Sequence, residues 1–177
     1  MRRLHLLLVC TLLAACAGVQ RSATAEAPDA EEYAVWSAAL DARFGSTIPR
    51  YRVMEETYSW VTSMPGDSEW LRTRSGLPDT LLEDYIARNA RRARVQVRRL
   101  HPRSVRLHPS PPAAAVEGLK PPWITLSRVG FDRGGTRAMV SVVSDCGSLC
   151  KGGALMVMER EGSGSWKVTS APVGIEF

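Results

Sequence analysis

Between Asp29 and Phe44 the apolar residues Tyr33, Trp36, Leu40 and Phe44 recur at steps of three and four, and Val35 and Ala39 widen the stripe. That period lays them along one side of a helix. Asp29 stands where an N-cap belongs, and Glu32, three residues on, approximates the second half of a capping box. Gly45 to Pro49 breaks the helix. Tyr51, Val53 and Glu55 then alternate with Arg52, Met54 and Glu56, the period of a strand. Residues 62–79, rich in Ser, Gly, Pro and Asp, read as a loop. A second helix is expected from about Thr80 to Arg92, capped by Asp79, with Leu81, Leu82, Tyr85, Ile86 and Asn89 on its inner side. Arg94 to Arg98 alternates with period two and reads as a strand. Pro102, Pro109, Pro111, Pro112, Pro121 and Pro122 keep 102–122 from being a regular element throughout, and it reads as a long surface connection.

The C-terminal third carries the clearest strand pattern. Trp123 to Phe131, Arg137 to Ser144, Ala154 to Glu159 and Trp166 to Thr169 are strand-like, with turns at Asp132–Thr136 and Glu161–Ser165. Short connections between consecutive strands predict an antiparallel four-strand meander. With N-terminal helices packed on one face, the class is α+β. On the second strand Ala138, Val140 and Val142 point one way and Met139, Ser141 and Val143 the other, so both faces are largely apolar. That predicts a central strand with two covered faces, one under the helices and one under the Pro-rich connection or a partner.

The first residues form a different pattern. Arg2 and Arg3 precede an apolar run from Leu4 to Leu13, followed by Ala14, Ala15 and Cys16. This is the layout of a secretory signal, and the run is too short to span a bilayer. Leu13-Ala14-Ala15-Cys16 resembles the lipobox of bacterial lipoproteins. The resemblance implies cleavage before Cys16 and acylation of Cys16; the alternative is a plain signal cut near Ala15. The domain plan is then a signal over 1–15, a lipidated Cys16 with a polar tether to residue 28, and one domain from 29 to 177. The compartment is the bacterial cell envelope. Ala17, where inner-membrane retention commonly uses Asp, favours an outer membrane facing the periplasm if the source is Gram-negative.

Charge enters the picture at one place. The net charge is +5, and it falls to +3 once the signal takes Arg2 and Arg3. Yet Arg88, Arg91, Arg92, Arg94, Arg98, Arg99, Arg103 and Arg106 fall within nineteen residues that contain no Asp or Glu. Such a run is either an anion-binding footprint or a solvated face. No Phe, Trp or Tyr lies between Ile86 and Pro122, so no base-stacking platform accompanies the charge and nucleic acid is not the expected partner. Anionic lipid headgroups or envelope polymers fit better.

Cys146 and Cys150 remain beside Cys16 and Cys10, which lies within the signal. Extended chain would hold their Cα atoms about 13 Å apart, too far for a disulfide. Gly147-Ser148 is turn material, and an oxidising compartment favours the bond, so a disulfide stapling the hairpin is expected. A redox pair would more typically be C-x-x-C, and zinc would need ligands that no neighbouring His or Cys supplies. His101 and His108 fit no metal spacing. Ser144-Asp145 lacks a nucleophile elbow, adjacent acids such as Glu55 and Glu56 are no evidence of acid–base work, and no phosphate or dinucleotide loop exists. No catalytic residue, metal or cofactor is therefore expected.

Ser127-Arg128-Val129-Gly130-Phe131, the alanine-led strand Ala138–Val143, the Cys146-Gly147-Ser148-Leu149-Cys150 turn and Gly164-Ser165-Trp166 together resemble a family of uncharacterised bacterial secreted proteins and lipoproteins. Glu32 to Ala38, Glu56-Thr57 and Leu82 to Asn89 resemble its opening helix, first strand and second helix. Lys151 departs from the Gly of that pattern. The resemblance implies a fold and no catalytic residues. The expectation is a non-catalytic binding or interaction module held at a membrane surface. The alternatives are a small-ligand binder or enzyme with a pocket between sheet and helices, lined by Tyr33, Trp36, Tyr51 and Trp123, and an inhibitor or protective partner of another secreted protein. One consequence is testable directly: alkylating denatured, unreduced protein taken from the envelope should leave Cys146 and Cys150 unmodified. Two free thiols would end the disulfide assignment.

Overall fold

In the computed structural model, which describes residues 26–44, 51–59, 62, 66–74, 76–102, 107–109, 123–145, 152–169 and 173–175, helix α1 spans Ala30–Phe44. Asp29 Oδ1 accepts the Glu32 N–H at 2.8 Å and so caps it. Strand β1 is Tyr51–Val53, α2 is Asp67–Arg74, and α3 is Asp79–Asn89. A 3₁₀ turn follows at Val97–Arg99. The remaining strands are β2 (Leu107–Pro109), β3 (Trp123–Leu126), β4 (Gly130–Phe131), β5 (Arg137–Asp145), β6 (Gly152–Arg160), β7 (Trp166–Val168) and β8 (Val173–Ile175).

The class is α+β, and the C-terminal strands form the expected antiparallel meander: β3, β5, β6 and β7 lie side by side in that order. The sheet as a whole is mixed. β1 joins the outer side of β3 in parallel, and β2 joins β1 in parallel beyond it. Ser144 pairs with Gly152, so the stretch that holds Cys146 and Cys150 connects two paired strands. The cysteines themselves, like Cys16 and most of 102–122, lie outside the described residues.

The helices divide between the two faces instead of sharing one. Val35, Trp36, Ala39 and Leu40 of α1 pack on Val53, Ile124, Leu126, Ala138, Val140 and Val142. Leu81, Leu82 and Tyr85 of α3, with Leu71 of α2, pack on Met139 and Leu155 on the opposite face. The double-faced apolarity of β5 is thus satisfied within the chain. Met139, expected to lie under the Pro-rich connection or a partner, is covered by helices.

Three local expectations change. The segment 62–79 contains α2, whose one buried anchor, Leu71, is too little to make a stripe. Helix α3 stops at Asn89, and Pro78, not Asp79, occupies its N-cap. The strand expected over Arg94–Arg98 shrinks to one bridge between Glu56 and Arg94. Beyond it Tyr33 Oη accepts the Gln96 N–H at 2.8 Å, and the chain turns to bury Leu100 against the α1 core.

Strands β3 and β4 are one line broken by a bulge. Leu126 pairs with Val142 and Gly130 with Met139, so Ser127, Arg128 and Val129 oppose only Val140 and Ser141. Immediately after the bulge Gly130 meets α3. A Cβ there would lie 2.5 Å from both Cα and Cβ of Tyr85. Gly130→Ala should therefore push α3 off the sheet and destabilise the fold by about 1–3 kcal/mol, the usual cost of overpacking. Chemical unfolding at equilibrium measures it, and an unchanged midpoint would mean that the helix yields freely.

Candidate functional site

The arginine run, continuous in sequence, is dispersed by the fold. With α3 ending at Asn89, Arg88 is its one member on an α-helix among the described residues. Arg88 turns inward: its Nε donates to Asp84 Oδ2 at 2.9 Å, its Nη1 lies 3.8 Å from Glu32, and its guanidinium covers the Phe131 ring. Arg91 is exposed on the turn after the helix. Arg92 lies over Tyr58 and 3.6 Å from Glu56. Arg94 is 3.6 Å from Glu55, with 81% of its side chain exposed. Arg99 stacks 4.1 Å over the Tyr33 ring and donates to the Pro28 carbonyl. Arg98 is exposed on the same 3₁₀ turn. Arg103 and Arg106 lie outside the described residues. A run without acids in sequence thus gains Glu32, Glu55, Glu56 and Asp84 in space.

What the fold does bring together is Arg94 and Arg98. They line an open cleft of about 860 Å³ with Glu55, His101, Val95, Val97 and Leu100. The cleft lies between β2 and the segment that runs along α1, where Ser37 Oγ accepts the His101 N–H at 2.9 Å. Its apolar residues are the outer edge of the α1 core. The arrangement offers guanidinium donors above an apolar floor, a chemistry suited to phosphate or carboxylate groups attached to apolar matter. Among the described residues, no group of three His, Cys, Asp or Glu side chains is placed to hold a metal ion.

The expectation missed the polar centre of the molecule. Glu32 and Arg128 are buried, at 0% and 4% exposure. Arg128 Nε and Nη2 donate to Glu32 Oε1 and Oε2 at 2.9 and 2.8 Å, a two-pronged pair, and the Val129 N–H donates to Oε1 at 3.0 Å. Burial pulls the Arg128 pKa down, but the hydrogen bond and charge of Glu32 outweigh it, and the guanidinium is held more firmly protonated than usual. Glu32 therefore does not close a capping box; its carboxylate is committed to the sheet. Asn89 Oδ1 accepts the Arg128 N–H at 2.9 Å, and its Nδ2 donates to the Arg128 carbonyl at 3.1 Å. Ser127 Oγ accepts the Ser141 N–H, and Trp36 Nε1 donates to the Ser127 carbonyl, both at 2.8 Å. Each strip of bulge backbone is thus held by α1, α3 or β5.

Beside the bulge, Tyr85 Oη and Ser59 Oγ are 3.0 Å apart. Burial pushes the Tyr85 phenol up, and the neighbouring hydroxyls of Ser127, Ser141 and Ser59 only partly offset it, so the phenol stays neutral. Ser141 Oγ is buried beside the phenol and has no well-formed hydrogen bond among the described residues. A phenol held neutral is a poor base, and the cluster reads as interior polar packing. The sequence-level hint to this centre was Ser127–Phe131 itself, where a charged residue and a glycine interrupt an apolar strand.

The described residues form an α+β fold with helices on each face of a mixed sheet, and a buried ion pair ties α1 to that sheet. No protein-family profile, curated protein or solved structure matches the chain.

Glu32→Gln should destabilise the domain by about 3–5 kcal/mol, because it strands a buried guanidinium. Replacing Glu32 and Arg128 together with Met should cost less than Glu32→Gln alone. Urea midpoints of the three proteins decide it; a double variant as unstable as the single one would mean the pair acts through shape, not charge.

Proposed function

We propose that the chain is a lipid-anchored protein of the bacterial cell envelope whose folded domain works by binding at the membrane surface and performs no catalysis. The observation that carries this is Leu13-Ala14-Ala15-Cys16 behind a charged and then an apolar segment. No helix of the described residues is long and apolar enough to cross a membrane, so attachment in this proposal depends on the acyl chains. One chain binds a bilayer only marginally, whereas the two or three that a lipoprotein carries hold it stably.

The interior supports a binding role over a chemical one. The buried carboxylate, guanidinium and phenol all engage neighbours that tie helices to the sheet. The spaces between the sheet and each helix are filled by side chains, among them Tyr33 and Trp36 of the pocket reading. Between residues 91 and 99 the exposed side chains are mainly arginines, which recognise negative charge.

Expressed in a Gram-negative host fed radiolabelled palmitate, the wild-type chain should take up label and sediment with membranes, and Cys16→Ala should do neither. Equal labelling of the two, or an unlabelled wild type in the soluble fraction, overturns the proposal.

A further inference from the structure

We infer that the cleft holding Arg94 and Arg98 seats the phosphodiester headgroup of an anionic phospholipid in the membrane that carries the anchor. The orientation rests on the proposed lipidation; the chemistry of the cleft does not.

The first argument is where the tether meets the domain. The Glu26 carbonyl accepts Arg128 Nη1 at 3.0 Å, and the Pro28 carbonyl accepts Arg99 Nη1 at 3.4 Å. Pro28 is buried. The chain therefore joins the domain beside the turn that carries Arg98 and Arg99. Ten residue steps separate Cys16 from Glu26, a reach of at most about 35 Å. A domain of this length is itself about 35–40 Å across. A tether no longer than the domain is wide holds its entry side toward the bilayer, and that is the side of Arg98 and Arg99.

The second argument is charge. Arg94 and Arg98 line the cleft against one acid, Glu55. Arg99 borders the same turn, and among the described residues its guanidinium meets a carbonyl and a ring and forms no ion pair. The Arg94–Glu55 contact is long, and both side chains are largely in water, so a phosphate can displace it at little cost. A guanidinium offers two parallel N–H donors to phosphate oxygens. In the same cleft the half-buried Val97 and Leu107, packed on the buried Val95 and Leu100, provide apolar contact for the glycerol end of a lipid, which a free phosphate would not use.

The test uses the full mature chain with vesicles of phosphatidylcholine alone or with a quarter phosphatidylglycerol, reading hydrogen exchange at the amides of residues 94–101. Phosphatidylglycerol should slow exchange there, and half-molar NaCl should restore it, since salt screens the attraction. In a Cys16→Ala background, where no acyl chain dominates attachment, Arg94→Gln with Arg98→Gln should weaken vesicle binding about thirtyfold, from the roughly fivefold that each basic residue contributes at such a surface. Both side chains are exposed, so the thermal midpoint should hold. Arg72→Gln, on α2, should change nothing. Equal exchange on both vesicles, or binding unaffected by the double variant, overturns the inference. Acyl analysis of Cys16 on the same protein separates the two claims. Acylated Cys16 without a phosphatidylglycerol effect sinks the cleft alone. An unacylated chain that still binds from solution in an Arg94- and Arg98-dependent way sinks the anchor alone.

Discussion

The buried pair of Glu32 and Arg128 is the constraint on which the rest of the structure depends. An isolated charge at this depth would be prohibitive, so each partner requires the other and requires it in one geometry. Glu32 belongs to α1 and Arg128 to the bulge between β3 and β4. Their pairing fixes how α1 lies on the sheet. It also consumes the orphan Val129 N–H that the bulge would otherwise bury unpaired. The net energy of such a pair is small or negative against a well-packed apolar alternative, but its geometry is exacting. Its contribution is therefore to orientation more than to stability.

The bulge serves α3 as well. Gly130 lets the helix backbone approach to contact distance, the Phe131 N–H donates to Asp84 Oδ2 at 2.7 Å, and Asn89 brackets Arg128 from the helix end. A second tie runs from α1 to the far strands. Glu31 accepts from Trp166 Nε1 at 2.6 Å and from Arg160 Nη2 at 3.0 Å. Two adjacent glutamates of one helix turn thus do separate work, one in the interior and one at the rim. The five residues Ser127–Phe131 gather contacts from α1, α3, β5 and the segment before α1, which accounts for a charged residue and a glycine in the middle of an apolar strand.

This arrangement also shapes what the surface can offer. Among the described residues, helices of the chain itself cover both faces of the sheet around β5. The arginines exposed between residues 91 and 99 differ in how closely acids meet them. Arg88 is spent on the interior, and Arg92 is met by Glu56, whereas Arg98 and Arg99 stand at the point where the chain enters the domain. Binding at a membrane surface, in the reading proposed here, is a property of that one side and not of the arginine run as a whole.

Periodicity alone determined α1, α3 and the strands from Trp123 to Thr169, because apolar spacing is a local property and each of these elements buries a full stripe or face. The same reasoning determined that Val140 and Val142 are interior and that β5 is covered twice. Which element covers which face was a tertiary decision, since the pattern of β5 is the same whether one helix lies on each side or two lie on one. Helix α2 escaped because it is held by Leu71 alone. Glu32 looked like a cap because Asp29 does cap the helix, and nothing local separates a carboxylate turned back along α1 from one turned inward to an arginine ninety-six residues away. The arginine run looked uncompensated for the same reason. Its acids come from α1, from the segment after β1 and from the face of α3, and folding places most of them beside it, because charge acts through space and sequence records it along a line.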